Sequence, residues 1–255
     1  MSDSHSFEAE LAAELAALPG VVAVALGGSR ATGQHRPESD WDFAIYYRSY
    51  FDPEVVRAKG WSGQVFDVGG WGGGVMNGGA WLSIGGRKVD IHYRDLDEVE
   101  YLTDEALEGR WRREFLPFYV AGIPTYVVAA ELALGRVVSG ELRSPEYSDE
   151  LSESAKVRWH RDAVATLAYA EAALQRHGDV TVAIGNASRA LIEEAHSRAA
   201  AAKRWVLNEK RMVAAGGLDQ GAALLLEASS ATELASAIAE LKERFVLHEP
   251  DPGNG

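Results

Sequence analysis

The sequence contains no cysteine among its 255 residues. This absence excludes disulfide bonds, thiolate zinc sites and a thiol nucleophile. No apolar run approaches the roughly 18 residues that a membrane-spanning helix needs. The first twenty residues are acidic and lack the basic start of a signal peptide. Together these absences predict a cytoplasmic protein without a membrane segment.

Positive charge is also scarce. The chain has 25 lysine and arginine residues against 38 aspartate and glutamate residues, which gives a formal net charge of −13. A protein that binds duplex DNA by neutralising its phosphates needs the opposite balance, so we expect no nucleic-acid partner. A single nucleotide is not excluded, because it needs only a few local donors and a metal ion. An acidic surface also suits a cationic small substrate.

Hydrophobic periodicity divides the chain into two different halves. Apolar residues recur at helical spacing from Phe7 to Leu18, before Pro19 and Gly20. The runs "VVAVALGG" and "DWDFAIYY" are typical of buried strands. The stretch "WLSIGGRKVDIHYRD" predicts a hairpin that turns at Gly85 and Gly86. A loop and then a helix that carries Glu131 are expected in "AGIPTYVVAAELALGRVVSG".

The second half is rich in alanine and is predicted to be helical. We place the boundary near Pro145, in a polar connector, and expect four or five helices after it. Ser230 and Glu233 match a capping box at the start of the last helix. The predicted fold class is therefore α+β, with a short mixed sheet and helices over residues 1–145. An all-α helical bundle follows over residues 146–250.

Three aspartates are the strongest candidates for a functional site. Asp40 and Asp42 lie two residues apart at the start of a strand and are expected to share one face. Asp90 begins a later strand stretch and is expected to lie beside them. Carboxylates that converge in this way repel each other unless a cation binds, and their oxygens suit Mg²⁺. Two such ions can hold both the attacking and the leaving oxygen of a phosphoryl displacement.

A glycine-rich turn precedes the aspartates. Gly27 and Gly28 let backbone N–H groups approach a phosphate, and Ser29 adds a hydroxyl. A helix that begins after the turn would add a favourable dipole. Arg30 has two interpretations: it reaches a phosphate, or it pairs with Glu38 at the surface.

These residues together resemble the DNA polymerase β-type nucleotidyltransferase superfamily. The resemblance rests on Gly28-Ser29, on Ser39-Asp40-Trp41-Asp42 and on the later single Asp90, and it covers residues 20 to 95. It implies the minimal nucleotidyltransferase fold, two Mg²⁺ ions and an NTP as co-substrate. The implied reaction transfers a nucleoside monophosphate and releases pyrophosphate.

The resemblance also implies a role for each matching residue. Ser29, in its turn with Gly27 and Gly28, contacts the phosphates of the nucleotide. Asp40 and Asp42 hold the metal ions, and Asp90 holds the ion nearer the acceptor.

The order of the two halves is similar to that of bacterial antibiotic nucleotidyltransferases, which adenylylate aminoglycosides or lincosamides. This similarity implies transfer of AMP from ATP to a hydroxyl of a small-molecule acceptor, and a homodimer. The alternative is an antitoxin-like regulatory nucleotidyltransferase that modifies or binds a protein partner. Antitoxin forms are usually short single domains, whereas this chain carries its own helical half, which favours the small-molecule enzyme.

Three further features have two interpretations each. In related enzymes an acidic residue on a helix after the sheet acts as the base that activates the acceptor hydroxyl. Glu131 is one candidate for this base, and apolar surroundings would then raise its pKa. Alternatively, Glu131 is a solvent-facing residue. Lys210 either faces the nucleotide or belongs to an amphipathic helix that packs Trp205 into the bundle. The loop between Gly69 and Gly79, with seven glycines, is either a flexible surface loop or a mobile loop over a ligand.

Overall fold

A computed structural model describes residues 2–33, 35–36 and 38–246. The chain forms two compact units, the first from Met1–Ala106 with Thr125–Glu146 and the second from Leu107–Pro124 with Tyr147–Gly255. The division into domains at residue 145 stays a prediction, and the predicted end of the bundle at residue 250 lies outside the described residues.

Helices and strands are mixed along the chain up to residue 139, and from residue 149 onwards the regular elements of the described residues are all helices. In chain order the elements are α1 (Ser2–Ala16), β1 (Val21–Leu26), α2 (Gly28–Ala31), β2 (Trp41–Tyr47), α3 (Glu54–Arg57), β3 (Ser62–Val65), β4 (Gly79–Ile84), β5 (Arg87–Asp95), α4 (Leu96–Leu107), β6 (Arg113–Glu114), β7 (Ile123–Pro124), α5 (Val127–Leu134), β8 (Arg136–Ser139), α6 (Asp149–His177), α7 (Val180–Ala201), α8 (Met212–Ala215), α9 (Asp219–Glu227) and α10 (Ala231–Val246).

The first unit is built on a mixed sheet in the strand order β3-β4-β5-β2-β1-β8. Strands β2 and β5 run parallel, and the other neighbours run antiparallel. This sheet with its helices, followed by helices α6 to α10, confirms the predicted α+β class. The two predicted strands, the hairpin and the first helix are confirmed as well.

Alternation along the strands separates a core face from a second face. On the core face, side chains of β2, β4 and β5 form one buried cluster with α1: Leu11, Leu15, Trp41, Phe43, Ile45, Ala80, Leu82, Val89, Ile91 and Tyr93. Because side chains in a strand point alternately to opposite sides, the intervening residues lie on the second face. These are Asp42, Ala44 and Tyr46 on β2, and Asp90, His92 and Arg94 on β5.

The stretch around Glu131 contains a strand as well as the predicted helix. The helix that carries Glu131 ends at Leu134, and residues Arg136–Ser139 form strand β8 at the edge of the sheet. Gly135 marks the change, since it caps the helix with its N–H and has extended backbone angles. The predicted helix that carries Glu131 is therefore confirmed, and the edge strand β8 that follows it was not predicted.

The second unit is built around α6 and α7. Ser148 caps the start of α6 by accepting a hydrogen bond from the Leu151 N–H, and Gly178 ends it in the left-handed conformation. Alanines dominate the buried faces of both helices, which permits close packing. In the described part of the chain, none of the helices combines the length and apolarity needed to cross a membrane.

The predicted capping box at α10 is present in a modified form. The Ser230 hydroxyl accepts from the Glu233 N–H at 3.2 Å. The Glu233 carboxylate accepts from the N–H of Ser229, at 2.8 Å, rather than from that of Ser230. Both bonds satisfy groups that the first helical turn leaves open.

The prediction of a helix around Trp205 is wrong. Residues 202–211 lie between α7 and α8 and form no helix. Lys203 and Arg211 both have a positive φ, 49° and 61°, which interrupts a helix at each end of the stretch. Trp205 packs on Tyr147, with ring centroids 4.3 Å apart.

A buried polar cluster lies between α6 and α7. Glu193 is fully buried and accepts hydrogen bonds from Arg113 at 2.6 Å and from Arg189 at 2.9 Å. His196, one turn further along, stacks on Trp159 with centroids 4.2 Å apart. Burial, followed by the charge of Arg113, lowers the pKa of His196 to about 3. The imidazole is therefore neutral at pH 7.

We expect this histidine to make the protein less stable in acid. Its pKa is depressed on folding, so the unfolded chain takes up a proton below about pH 6.5 while the folded protein does not. The unfolding free energy should fall by up to about 1.4 kcal/mol per pH unit from pH 6.5 towards pH 3. Urea unfolding of wild type and His196→Phe at several pH values measures this; equal slopes in the two proteins would contradict it.

Candidate active site

Asp42 and Asp90 are direct neighbours in the sheet. They are register partners in the parallel pair of β2 and β5, and they lie on the same face. Neighbouring strands are about 4.8 Å apart, so two carboxylates start from adjacent backbone positions. The expectation that Asp90 lies beside the earlier aspartates is confirmed for Asp42.

Asp40 occupies a different position from Asp42, the other aspartate of the motif. It precedes the first residue of β2 and is exposed, whereas Asp42 is half-buried within the strand. The Arg30 guanidinium holds this entry to the strand by donating to the carbonyl oxygens of Ser39 at 2.6 Å and Asp40 at 3.1 Å. It also stacks over Trp41 at 4.0 Å. Burial is the main cause that lowers the pKa of Arg30.

The glycine turn lies directly against Asp42. The Gly27 N–H donates to the Asp42 carbonyl oxygen at 2.7 Å. Gly28 has a φ of +60°, and a Cβ at that position would overlap the Asp42 carboxylate. Glycine is therefore required here both by the backbone angle and by the approach of a side chain. Ser29 is half-buried in α2, a helix of a single turn, so the expected helix dipole is small.

The second face of the sheet is ordered in rows across the strands. The first row consists of Asp42, Asp90 and Trp81, the second of Ala44, His92 and Gly79, and the third of Tyr46 and Arg94. Successive rows are two residues apart, so about 13 Å of strand separates the first row from the third. Helix α5 meets the third row through Glu131.

Glu131 is bound by a buried arginine. Arg94 is 2% exposed and donates to both Glu131 oxygens at 2.6 Å. Burial of Glu131 favours its protonated form, but the charge and the hydrogen bonds of Arg94 outweigh this, and the pKa of Glu131 is lowered. The expected raised pKa is therefore wrong. The apolar neighbours on the helix favour a raised pKa, but the cation that lowers it lies on the facing strand.

His92 lies between the aspartate row and this ion pair. Its Nδ1 is 3.3 Å from the Arg94 guanidinium. Desolvation, followed by the charge of Arg94, lowers the pKa of His92 to about 4. Burial, followed by the charge of Glu131, raises the pKa of Tyr46. At pH 7 the titratable groups of the second and third rows are therefore one ion pair, Arg94 with Glu131, and two neutral side chains, His92 and Tyr46.

The carboxylates fit a magnesium ion as a pair. In the ranges 2–33, 35–36 and 38–246, no three histidine or acidic side chains come together to hold a metal ion. Mg²⁺ in phosphate-handling sites is commonly held by one or two carboxylates, with substrate phosphates and water completing its shell. The pair formed by Asp42 and Asp90 meets that requirement, while Asp40 stands at the open end of the strand.

An aromatic cluster that was not predicted lies on the same face. Trp81 stacks on Trp71 with centroids 5.6 Å apart, and Phe66 meets Trp81 edge to face at 4.7 Å. A two-residue turn at Gly85 and Gly86 already places Trp81 opposite Asp90 in the hairpin. This hairpin register is the feature of the sequence from which the position of Trp81 beside Asp90 could have been predicted.

Lys210 is exposed in the second unit. The backbone N–H of Lys210 donates to the side-chain oxygen of Asn208 at 2.9 Å. Both residues lie in the irregular segment that precedes α8. The predicted contact of Lys210 with a nucleotide stays a prediction.

Removal of Glu131 should destabilise the first unit. In Glu131→Ala, buried Arg94 loses both carboxylate hydrogen bonds, and we expect the unfolding free energy to fall by about 3 kcal/mol. Glu100→Ala is the matched control, because Glu100 pairs with an exposed arginine, Arg48, and should cost at most about 1 kcal/mol. Urea unfolding followed by circular dichroism compares them; similar losses would contradict the expectation.

Comparison with known proteins assigns part of the chain. Residues 8–110 match a family model described as a nucleotidyltransferase domain. No curated protein matches the chain. The matched segment runs from α1 to α4 and contains Ser29, Asp40, Asp42 and Asp90, but neither Glu131 nor Lys210. For this segment the match confirms the resemblance at the level of a nucleotidyltransferase domain, and it supports the transfer of a nucleoside monophosphate as the general reaction class.

Proposed function

We propose that this protein is a Mg²⁺-dependent nucleotidyltransferase that transfers AMP from ATP to a hydroxyl of a small molecule and releases pyrophosphate. One observation carries the proposal. Asp42 and Asp90 are register partners on one sheet face, directly beside the Gly27-Gly28 turn, within the segment that matches the nucleotidyltransferase domain.

In this proposal the aspartates contribute to the reaction by binding the metal ion. Asp42 and Asp90 would hold Mg²⁺ as a pair, and Asp40, which was expected to be a third ligand, lies outside this pair at the strand entrance. When bound, Mg²⁺ neutralises charge that develops on the phosphates. Arg30 fixes the position of Asp40 by binding its carbonyl oxygen. In this proposal Ser29 and the backbone of Gly27 and Gly28 contact the phosphates.

The reaction needs a group that accepts the proton of the acceptor hydroxyl. The hydroxyl oxygen forms a bond to the α-phosphorus, the bond from that phosphorus to the bridging oxygen breaks, and pyrophosphate leaves. Asp90 lies in the first row, whereas Glu131 is bound by Arg94 in the third. This position supports Asp90 as the proton acceptor, and it supports Glu131 as a residue that holds Arg94 in place.

The acceptor in this proposal is a cationic, aminoglycoside-like molecule. The net charge of −13 supports it, as does the similarity in layout to antibiotic nucleotidyltransferases. A homodimer is part of the same proposal, and light scattering during gel filtration tests it.

Pyrophosphate release tests the reaction. The purified protein is incubated with each of the four NTPs and Mg²⁺, with and without a panel of aminoglycosides and lincosamides. We expect release that depends on an acceptor and is greatest with ATP. Asp42→Ala should reduce it at least about a hundredfold, since the positioned charge is lost. Asp104→Ala removes an exposed carboxylate of the same unit and should leave the rate unchanged.

Two outcomes would contradict the proposal. Release that persists in Asp42→Ala would remove the aspartate pair from the reaction. The absence of release with every acceptor, together with an added nucleotide mass on a co-purified protein, would favour the antitoxin-like alternative.

Gly28→Ala offers a second test, with an unusually close control. Gly28 and Gly33 both have a positive φ, +60° and +71°, so alanine strains the backbone similarly at either site. Only at Gly28 does the new Cβ collide with the Asp42 carboxylate, while nothing lies within 4 Å of a Cβ at Gly33. Calorimetry should show that Gly28→Ala loses Mg-ATP affinity at least about tenfold and that Gly33→Ala keeps it. Equal affinities would contradict the placement.

A further inference from the structure

Phe66, Trp71 and Trp81, which we call the aromatic platform, form a compact group on the same sheet face as the aspartates. All three ring pairs are in contact, with centroids 4.7 to 5.6 Å apart. Trp81 nevertheless remains 46% exposed. A large aromatic ring that is held rigidly and still open to solvent is a ready surface for a ligand.

The platform continues the aspartate row. Trp81 on β4 is the register partner of Asp90, and Asp90 is the register partner of Asp42. The Gly27 N–H binds the Asp42 carbonyl on the other side of the row. The order across the sheet is therefore the glycine turn, Asp42, Asp90 and Trp81. If the nucleotide phosphates bind at the glycine turn, the acceptor molecule binds at the opposite end of this row, next to Trp81.

The glycine-rich loop supplies the support for this ring. Trp71 comes from that loop and packs over Gly79, where a Cβ would overlap its ring. It also meets His92 edge to face, with centroids 5.4 Å apart. Gly79 and His92 form the second row, directly behind Trp81 and Asp90. Trp71 thus covers the second row and braces Trp81 in the first.

We propose that the aromatic platform binds the acceptor, and that the acceptor is a hydroxylated ring with a protonated amine lying against Trp81. The proposal rests on the function proposed above and deepens it by assigning the acceptor side. A tryptophan face attracts cations more strongly than other rings. The excess of 38 acidic over 25 basic residues favours a cation in the same way. The hydroxyl of such a ring would be presented to Asp90, the adjacent residue of the row.

The test uses equilibrium binding without turnover. The probe is neamine, which has two rings with amines and hydroxyls, and its fully N-acetylated form is the uncharged control. Binding is measured by calorimetry in the presence of Mg²⁺ and a non-hydrolysable ATP analogue. We expect neamine to bind wild type at least tenfold more tightly than the acetylated form. Trp81→Ala should weaken neamine binding about tenfold and leave the affinity for the ATP analogue unchanged.

Two further variants exclude trivial explanations. Trp81→Phe keeps a ring on the strand and should give an intermediate affinity, even if Trp81→Ala folds poorly. Tyr101→Ala removes an exposed aromatic side chain from α4 in the same unit and should bind neamine like wild type.

Three results would overturn the proposal. They are a neamine affinity that is unchanged in Trp81→Ala and Trp81→Phe, a loss of ATP-analogue affinity instead of neamine affinity, and no binding of neamine to wild type. The second result would place the nucleotide base on the platform. Because no turnover is needed, binding that depends on Trp81 stands even if pyrophosphate release fails, and the two proposals are tested separately.

Discussion

The parallel hydrogen bonding of β2 with β5 places Asp42 beside Asp90, and the remainder of the first unit depends on this register. A shift by one residue would turn either aspartate into the core that contains Trp41 and Val89. The apolar alternation of both strands prevents such a shift, since it would expose the buried cluster. The core thus specifies the site, although no residue of the core belongs to it.

Local pattern was sufficient to predict much of this arrangement. Alternation predicted the strands, the Gly85-Gly86 turn predicted the hairpin, and the spacing of Asp40 and Asp42 indicated the site. The missed features depend on contacts that are distant in the chain. The partner of Glu131 is Arg94, which is 37 residues away, and a helix considered alone gives no indication of it. The irregular segment at Trp205 was missed because positive φ angles at Lys203 and Arg211 have no signal in an otherwise helical composition.

The second face of the sheet changes in character from one end to the other. Its first row combines two carboxylates with an exposed ring, and its third row encloses the ion pair of Arg94 and Glu131. The buried Arg94 requires its partner Glu131, whereas the aspartates lie in the row where Trp81 is exposed. His92, which lies between these rows, is neutral at pH 7. Glu131 balances the positive charge of Arg94, and His92 adds no second positive charge near Asp90.

The turn at Gly85 and Gly86 has a consequence for how the length of this chain can vary. Both residues have a positive φ, 58° and 75°, in a two-residue connection that leaves no slack between Ile84 and Arg87. An insertion of one residue there keeps Trp81 opposite Asp90 only if a bulged three-residue loop absorbs it; any other insertion shifts the pairing and removes the indole from the row. Changes of length among relatives should therefore be tolerated more readily in the glycine-rich loop before β4 than in the hairpin that follows it.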